Sequence, residues 1–128
     1  MIGKALTAVV VGLAVPAVAD ACRCREPSVD VALSRSQAVV LGRIAAVRDI
    51  DRMRTVLTIQ VERSWKRPLG GRIEVDTGTT CRVPAVAGQR YLLFLRTGGQ
   101  RYYSNRCMGD RLDPSVDTLR ALDRHATK

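Results

Sequence analysis

Hydrophobic and polar residues alternate most regularly across residues 55–65, where Leu57, Ile59, Val61 and Trp65 fall on one side and polar residues on the other. This period of two predicts a β-strand with one buried face, although Arg63 interrupts its apolar side. Composition and turn signals predict four more strands. They cover residues 38–47, 72–77, 90–97 and 100–105.

Glycines and polar residues punctuate these segments. Gly42 predicts a bulge or bend inside the first strand, because glycine within a strand marks such irregularities. A polar turn is expected at residues 49–52 and another at residues 66–71. Gly98 and Gly99 predict a hairpin turn between the last two strands.

A helix is expected at each end of this set of strands. Ser28 is a predicted N-cap for a short helix with Ala32 and Leu33 on one face. Pro114 lies near the first turn of a C-terminal helix with a narrow apolar stripe. Five closely spaced strands with flanking helices predict a mainly β fold, a small antiparallel barrel that is closed or partly open. A β-sandwich would normally have more strands.

The first 21 residues have the pattern of an export signal. Lys4 provides a positive charge, residues 5–15 are apolar but too short to span a bilayer, and Pro16 precedes the cleavage region. Small residues allow cleavage after Ala19 or after Ala21, and the sequence does not choose between these sites. Acylation of Cys22 is a third, disfavoured alternative. We therefore expect a signal peptide over 1–21 and one mature domain over 22–128.

No second apolar segment has the length of a membrane span, so we expect a soluble monomer in the periplasm or outside the cell. Four cysteines lie in the mature chain, and an even number in a small exported domain predicts two disulfides. Three pairings are open, of which Cys22–Cys24 would close a very tight loop. A four-cysteine zinc site is disfavoured because the spacing lacks paired knuckles.

The chain carries a net charge of +9. Its basic residues are dense in the strand-and-turn region, at Arg43, Arg48, Arg52, Arg54, Arg63, Lys66, Arg67 and Arg72. One hypothesis is therefore a basic module that binds anionic envelope glycans, lipid headgroups or other polyanions. Export and the shortage of aromatic residues for base stacking argue against nucleic acid. The simpler interpretation is a solvated, arginine-rich surface.

Catalytic chemistry has little support in the sequence. His125 is the only histidine and falls in a polar terminal helix, where a solvated surface position is expected. A second histidine is lacking, so no catalytic triad or zinc-ligand cluster of the usual kind can be assembled. We expect a protein that is not an enzyme and that needs no cofactor.

Several segments, taken in order, resemble the netrin-like domain, and more closely bacterial proteins similar to the N-terminal domain of tissue inhibitors of metalloproteinases. These segments are Cys22-Arg23-Cys24, Leu41-Gly42-Arg43-Ile44, Val61-Glu62-Arg63-Ser64-Trp65-Lys66, Cys81, Ala87-Gly88-Gln89-Arg90-Tyr91-Leu92-Leu93-Phe94 and Cys107. The resemblance covers essentially the whole mature chain. It implies a five-stranded OB-fold barrel and the disulfides Cys22–Cys81 and Cys24–Cys107.

The resemblance also implies a function. In that family the first mature residue binds the catalytic zinc of a target metalloprotease through its α-amine and carbonyl, which here would be those of Cys22. Arg23 would enter the specificity pocket, and Thr79 and Thr80 would widen the contact ridge that also includes Cys24. The animal inhibitors carry a further disulfide in this domain and a small hydroxylated residue at the position of Arg23. A long cationic residue there suits a pocket with acidic or open ends.

Overall fold

A computed structural model describes residues 22–126, together with Gly3, Ala5, residues 7–10 and Gly12. Most of the expected signal peptide, including the residues directly before both expected cleavage sites, lies outside the described residues. The elements are α1 (Val29–Arg35), β1 (Ala38–Asp51), β2 (Arg54–Trp65), β3 (Arg72–Thr77), β4 (Arg90–Gly98), β5 (Arg101–Tyr103), β6 (Arg111–Leu112) and α2 (Val116–Ala126). Short 3₁₀ turns cover Thr79–Cys81 and Arg106–Met108.

Five of the strands form a closed ring. The order is β1-β2-β3-β5-β4, and β1 also pairs with β4 to complete the circle. All neighbours are antiparallel except β3 and β5, which pair in parallel through two residues. The two-residue strand β6 adds to the outside of β4 and was not expected from the sequence. The predicted fold class, a five-stranded barrel with flanking helices and two disulfides, is confirmed.

Gly42 allows β1 to belong to two neighbouring strand pairs at once. Residues 38–43 of β1 pair with β4, while most of β1 pairs with β2. A Cβ atom at Gly42 would lie 2.5 Å from the carbonyl oxygen of Gln60 and 2.6 Å from Cγ2 of Ile59. A register shift falls between Leu41 and Gly42, so the predicted bulge is confirmed.

The same bulge corrects the expected face of Trp65. Leu41 pairs with Arg63 and Gly42 pairs with Val61, which leaves the intervening residue of β2 without an opposite partner. The extra residue on β2 reverses the face of the sheet to which each following side chain of that strand points. Trp65 therefore packs outside the barrel, whereas Leu57 and Ile59 point into it.

The expected polar turn at residues 49–52 is wrong in its position. β1 continues to Asp51 and β2 begins at Arg54, so the chain reverses at residues 52–53. The Asp51 carboxylate accepts a hydrogen bond of 2.7 Å from the Met53 backbone N–H and stabilises this later turn. The last seven residues of β1 are exposed, so the two strands project as a hairpin arm beyond the packed core. The turn between β4 and β5 also falls later than expected, at residues 99–100.

The hydrophobic core has two parts on opposite faces of β1 and β4. Alternate residues of these strands point into the barrel or out beneath the helices, so both strands are nearly continuous apolar runs. The inner part contains Ala38, Val40, Ile44, Leu57, Ile59, Val75, Val83, Tyr91, Leu93 and Leu95. The outer part contains Ala32, Leu33, Val39, Leu41, Trp65, Leu92, Phe94, Met108 and Leu122.

Polar contacts hold the two helices against the barrel. Ser28 caps α1 by accepting a hydrogen bond of 3.3 Å from the Val31 N–H, as predicted. Lys66 donates from Nζ to the carbonyl oxygens of Leu33, at 2.7 Å, and of Ser36, and so places a positive charge at the C-terminal end of α1.

The C-terminal helix is tied to the first helix through its histidine. Nε2 of His125 lies 2.5 Å from Oδ1 of Asp30, across the gap between α2 and α1. The His125 side chain is about one-third exposed, at 34%. His125 therefore lies at the surface, as expected, and also links the two helices.

Candidate functional site

Two neighbouring disulfides anchor the start of the mature chain to the barrel. Cys22 bonds to Cys81 and Cys24 bonds to Cys107, which is the pairing that the resemblance implies. Sγ of Cys22 lies 3.4 Å from Sγ of Cys107, so the two bridges are in van der Waals contact. The cysteines among the described residues are all in disulfides, and no thiol of this group is left to bind zinc.

The three residues at this anchor present a narrow edge to solvent. Cys22 is partly buried, whereas Arg23 and Cys24 are exposed. Sγ of Cys22 and Sγ of Cys24 are 3.9 Å apart, so both cysteine side chains point to the same side, towards the barrel. In an extended segment the intervening side chain points the other way, which places Arg23 away from the barrel.

The segment before Cys81 lies beside this edge. The backbone of Thr79 and Thr80 forms a 3₁₀ turn that ends at Cys81, and Thr80 is exposed. The Thr80 carbonyl accepts a hydrogen bond of 3.5 Å from Arg106, next to the other bridged cysteine. The structure thus brings Cys22, Arg23 and Cys24 together with the backbone of Thr79 and Thr80. We call this surface the N-terminal ridge.

Sequence reasoning missed that the hairpin arm adjoins the N-terminal ridge. Arg82, directly after Cys81, lies 3.6 Å from the Asp49 carboxylate and donates a hydrogen bond of 3.2 Å to the Thr55 hydroxyl. Three large apolar side chains of the arm face solvent, Val47 at 39%, Ile50 at 44% and Met53 at 64% exposure. The arm therefore extends the ridge with exposed apolar surface.

Close packing holds the arm in place at Gly78. A Cβ atom at Gly78 would lie 2.2 Å from the Met53 carbonyl oxygen, too close for any side chain. Only glycine lets the backbone before the 3₁₀ turn approach the tip of the arm this closely. Gly78, which reads as loop in the sequence, therefore packs against the tip of the arm.

Most of the basic residues noted in the sequence have polar partners. They bind carboxylates, backbone carbonyls or, in one case, a side-chain amide: Arg43 with Gly88, Arg48 with Glu74, Arg54 with Asp76, Arg63 with Asp123, Lys66 with Leu33 and Ser36, and Arg72 with Gln60. Arg52 and Arg67 have no such partner within the described part of the chain, and they lie beyond opposite ends of β2. Binding of anionic glycans, lipids or other polyanions stays a prediction.

Trp65 and Arg63 share one carboxylate. The indole N–H of Trp65 donates a hydrogen bond of 3.1 Å to Oδ1 of Asp123, and Arg63 pairs with the same oxygen. These bonds, the one from Trp65 first, lower the pKa of Asp123. The guanidinium of Arg63 also lies 4.7 Å from the centre of the Trp65 ring, in cation–π geometry.

A second carboxyl group, that of Asp110, was not singled out by the sequence and is partly buried beside β4. Oδ1 of Asp110 accepts a hydrogen bond of 2.7 Å from the Phe94 N–H, and Oδ2 lies 2.5 Å from the Ser104 hydroxyl. Burial raises the pKa of Asp110 to about 8, and the hydrogen bonds from Ser104 and Phe94 only partly oppose this effect. With that pKa, the Asp110 carboxyl is mostly protonated, and therefore neutral, at pH 7 and below.

The protonated form of Asp110 satisfies this network fully. The Ser104 hydroxyl has one proton and also lies 2.8 Å from the Phe94 carbonyl oxygen. It can donate to that carbonyl only if Asp110 supplies the proton for the Ser104–Asp110 contact. A neutral Asp110 thus donates to Ser104, and Ser104 donates to Phe94.

Comparisons with known proteins add no assignment. A scan against protein-family models and a search of curated proteins find no match for the chain.

No helix within residues 22–126 or the few described before them is long and apolar enough to cross a bilayer. The two disulfides are typical of proteins from oxidising compartments.

Proposed function

We propose that the protein inhibits zinc metalloendopeptidases by capping the catalytic zinc with the α-amine and carbonyl of Cys22. The observation that carries this proposal is the double anchor at the N-terminal ridge: two disulfides fix Cys22 and Cys24 while Arg23 faces solvent. The proposal requires export and cleavage directly before Cys22.

The chemistry of the two ligands suits a protease zinc. Catalytic zinc sites keep a position open for water or substrate. An α-amine has a pKa of about 7.7–8, so a substantial fraction is neutral near physiological pH and can donate its lone pair. The sulfur of Cys22 is held in the bridge to Cys81, so the backbone atoms are the ligands that remain.

Rigidity supports the same proposal. A free chain terminus would lose conformational entropy when it binds a metal, whereas a crosslinked one has already lost it on folding. The bridges close loops with sequence separations of 59 and 83 residues. They bring the ridge together from three distant parts of the chain, and the exposed Ile50 and Met53 of the hairpin arm offer further contact area beside it.

The test compares two forms that differ by one residue. One form begins at Cys22 and the other retains Ala21, both released from a removable fusion and both with intact disulfides. Thermolysin and a metzincin protease serve as targets. We expect inhibition only by the form that begins at Cys22, because an amide nitrogen cannot donate to zinc as an amine does.

Circular dichroism and thermal unfolding of both forms provide the control for folding. Equal inhibition by both forms, or none by the Cys22 form with either target, contradicts the proposal. Intact-mass measurement of the naturally exported protein then locates its first residue. A native chain that begins at Asp20, or one acylated at Cys22, is incompatible with zinc binding by the α-amine.

A further inference from the structure

A cleft lies between the two helices and the turn that follows β2. Its volume is about 650 Å³, within the range of about 300–1,000 Å³ found for small-molecule sites. Three buried apolar side chains, Leu33, Trp65 and Leu122, contribute to its lining.

The cleft shares no lining residue with the N-terminal ridge. Trp65, at the end of β2, lines the cleft, whereas Thr55, near the start of β2, contacts Arg82 beside Cys81. Separate substitutions can therefore test the two surfaces.

Within residues 22–126, the ionisable side chains that line the cleft are Lys66, Arg67 and His125, and no Asp or Glu side chain is among them. Lys66 uses two of its three ammonium protons on carbonyl oxygens of α1, which leaves one for a ligand. Arg67 is exposed and makes no hydrogen bond or ion pair within residues 22–126, so its guanidinium is available.

Two carboxylates of the flanking helices already have hydrogen-bond partners. Asp30 is hydrogen-bonded to His125, and Asp123 is bonded to Arg63 and to the Trp65 indole. The cleft therefore joins an apolar wall to two cationic groups with unused donors. A guanidinium fork binds a carboxylate through two parallel hydrogen bonds, which gives it geometric preference for that group.

We propose that this cleft binds a single-chain anionic amphiphile, whose apolar body lies against Trp65, Pro68 and Ala126 and whose carboxylate contacts Lys66 and Arg67. A neutral amphiphile lacks the charge for the two cations. A short anion such as acetate lacks the apolar body. The site shares no residue with the N-terminal ridge, so it does not depend on protease inhibition.

Trp65 supplies a direct readout, since it is the only tryptophan in the chain and lines the cleft. The test titrates the oxidised protein, starting at Cys22, with decanoate below its micelle-forming concentration and follows tryptophan emission. We expect a saturable change with decanoate, a weaker response with decanol and none with acetate. No saturable change with decanoate, or an equal one with acetate, overturns the proposal.

Charge-reversal variants separate the cleft from general attraction to a protein of net charge +9. Arg67→Glu should weaken decanoate binding by about tenfold or more and leave decanol binding unchanged. Arg120→Glu makes the same change of charge at an exposed position of α2 outside the cleft lining and is the matched control. Equal weakening by both variants indicates surface adsorption and overturns the proposal.

A third variant fills the cleft without changing charge. Ala126 is exposed and lines the cleft at the end of α2, so Ala126→Phe should block decanoate binding while thermal unfolding stays unchanged. Undiminished binding by this variant places the ligand elsewhere and overturns the proposal. The form that retains Ala21 should bind decanoate normally even if it fails to inhibit a protease, which separates this proposal from the previous one.

Discussion

Asp110 makes the stability of the protein fall as the pH rises. Its pKa is raised to about 8 in the folded protein, whereas an aspartate in an unfolded chain has a pKa near 3.9. Between these values the folded state holds one proton more than the unfolded state. Stability therefore decreases with increasing pH across this window, by about 1.4 kcal/mol per pH unit, and levels off above the folded pKa.

The substitution Asp110→Asn should remove this dependence. An asparagine amide can accept the hydrogen bond from the Phe94 N–H and donate to the Ser104 hydroxyl, as the protonated acid does. At pH 7 the unfolded chain has released the proton of this aspartate, whereas the folded protein mostly retains it. The free energy of unfolding is therefore lower than at a pH below about 4 by on the order of 4 kcal/mol. The variant avoids that loss, so its free energy of unfolding at pH 7 should exceed the wild-type value by up to about this amount.

The assay is urea unfolding from about pH 5 to pH 9, followed by circular dichroism and by Trp65 emission. Asp113→Asn is the matched control, because Asp113 is exposed and has a φ of 43°, which asparagine tolerates. We expect the control to keep the wild-type slope of stability against pH. An Asp110→Asn protein with that same slope, or one clearly less stable at pH 7, refutes the reasoning.

Three further substitutions test the contacts that hold the barrel and its first helix. Gly109→Ala should destabilise the folded protein by about 2–4 kcal/mol, since the φ of Gly109 is 106° and a Cβ there would lie 2.8 Å from the Cβ of Ala32. The control is Gly70→Ala, where a Cβ meets no other atom, and both are compared by thermal unfolding. Lys66→Met should lower the free energy of unfolding by about 2 kcal/mol because two carbonyls where α1 ends lose a charged donor, and a loss under about 0.5 kcal/mol contradicts this assignment. Replacing Cys24 and Cys107 together by serine should cost about 4.5 kcal/mol in urea unfolding through loop entropy, and unchanged stability contradicts it.

The strands were largely predictable because their signals are local. The alternation in residues 55–65 marks β2, and Ser28 marks the start of α1 one residue before its first helical position. Gly42 marked the bulge because no side chain fits between β1 and β2 there. These features depend on backbone geometry and side-chain size, which a sequence states directly.

The turn at the end of the hairpin arm was predicted at the wrong position because the polarity of the sequence and the strand pairing conflict there. Asp49 and Ile50 follow an apolar run in a polar stretch that is typical of a turn, yet the two strands continue to pair with each other in solvent. The hydrogen bonds of Thr55 to Asp49 and of Met53 to Asp51 stabilise that extension. Such contacts depend on register, which the sequence does not specify by itself.

The N-terminal ridge, Asp110 and the cleft also differ in how far the sequence predicts them. The ridge was foreseen because disulfide partners followed from the resemblance, and the structure has both pairs. The burial of Asp110 could not be foreseen, since a Gly-Asp pair normally indicates an exposed turn. The cleft needs α1, α2 and the end of β2 to converge, and no local pattern encodes that meeting.

Arg23 occupies an unusual position for evolution and for engineering. It is flanked on both sides by residues that are crosslinked to the barrel, yet its own side chain is exposed. Replacements there should leave folding almost unaffected, because exposed side chains away from caps and networks change stability by only about 0.5 kcal/mol. A library of all amino acids at this position would therefore vary the exposed chemistry between two crosslinked residues while the scaffold and its stability stay nearly constant.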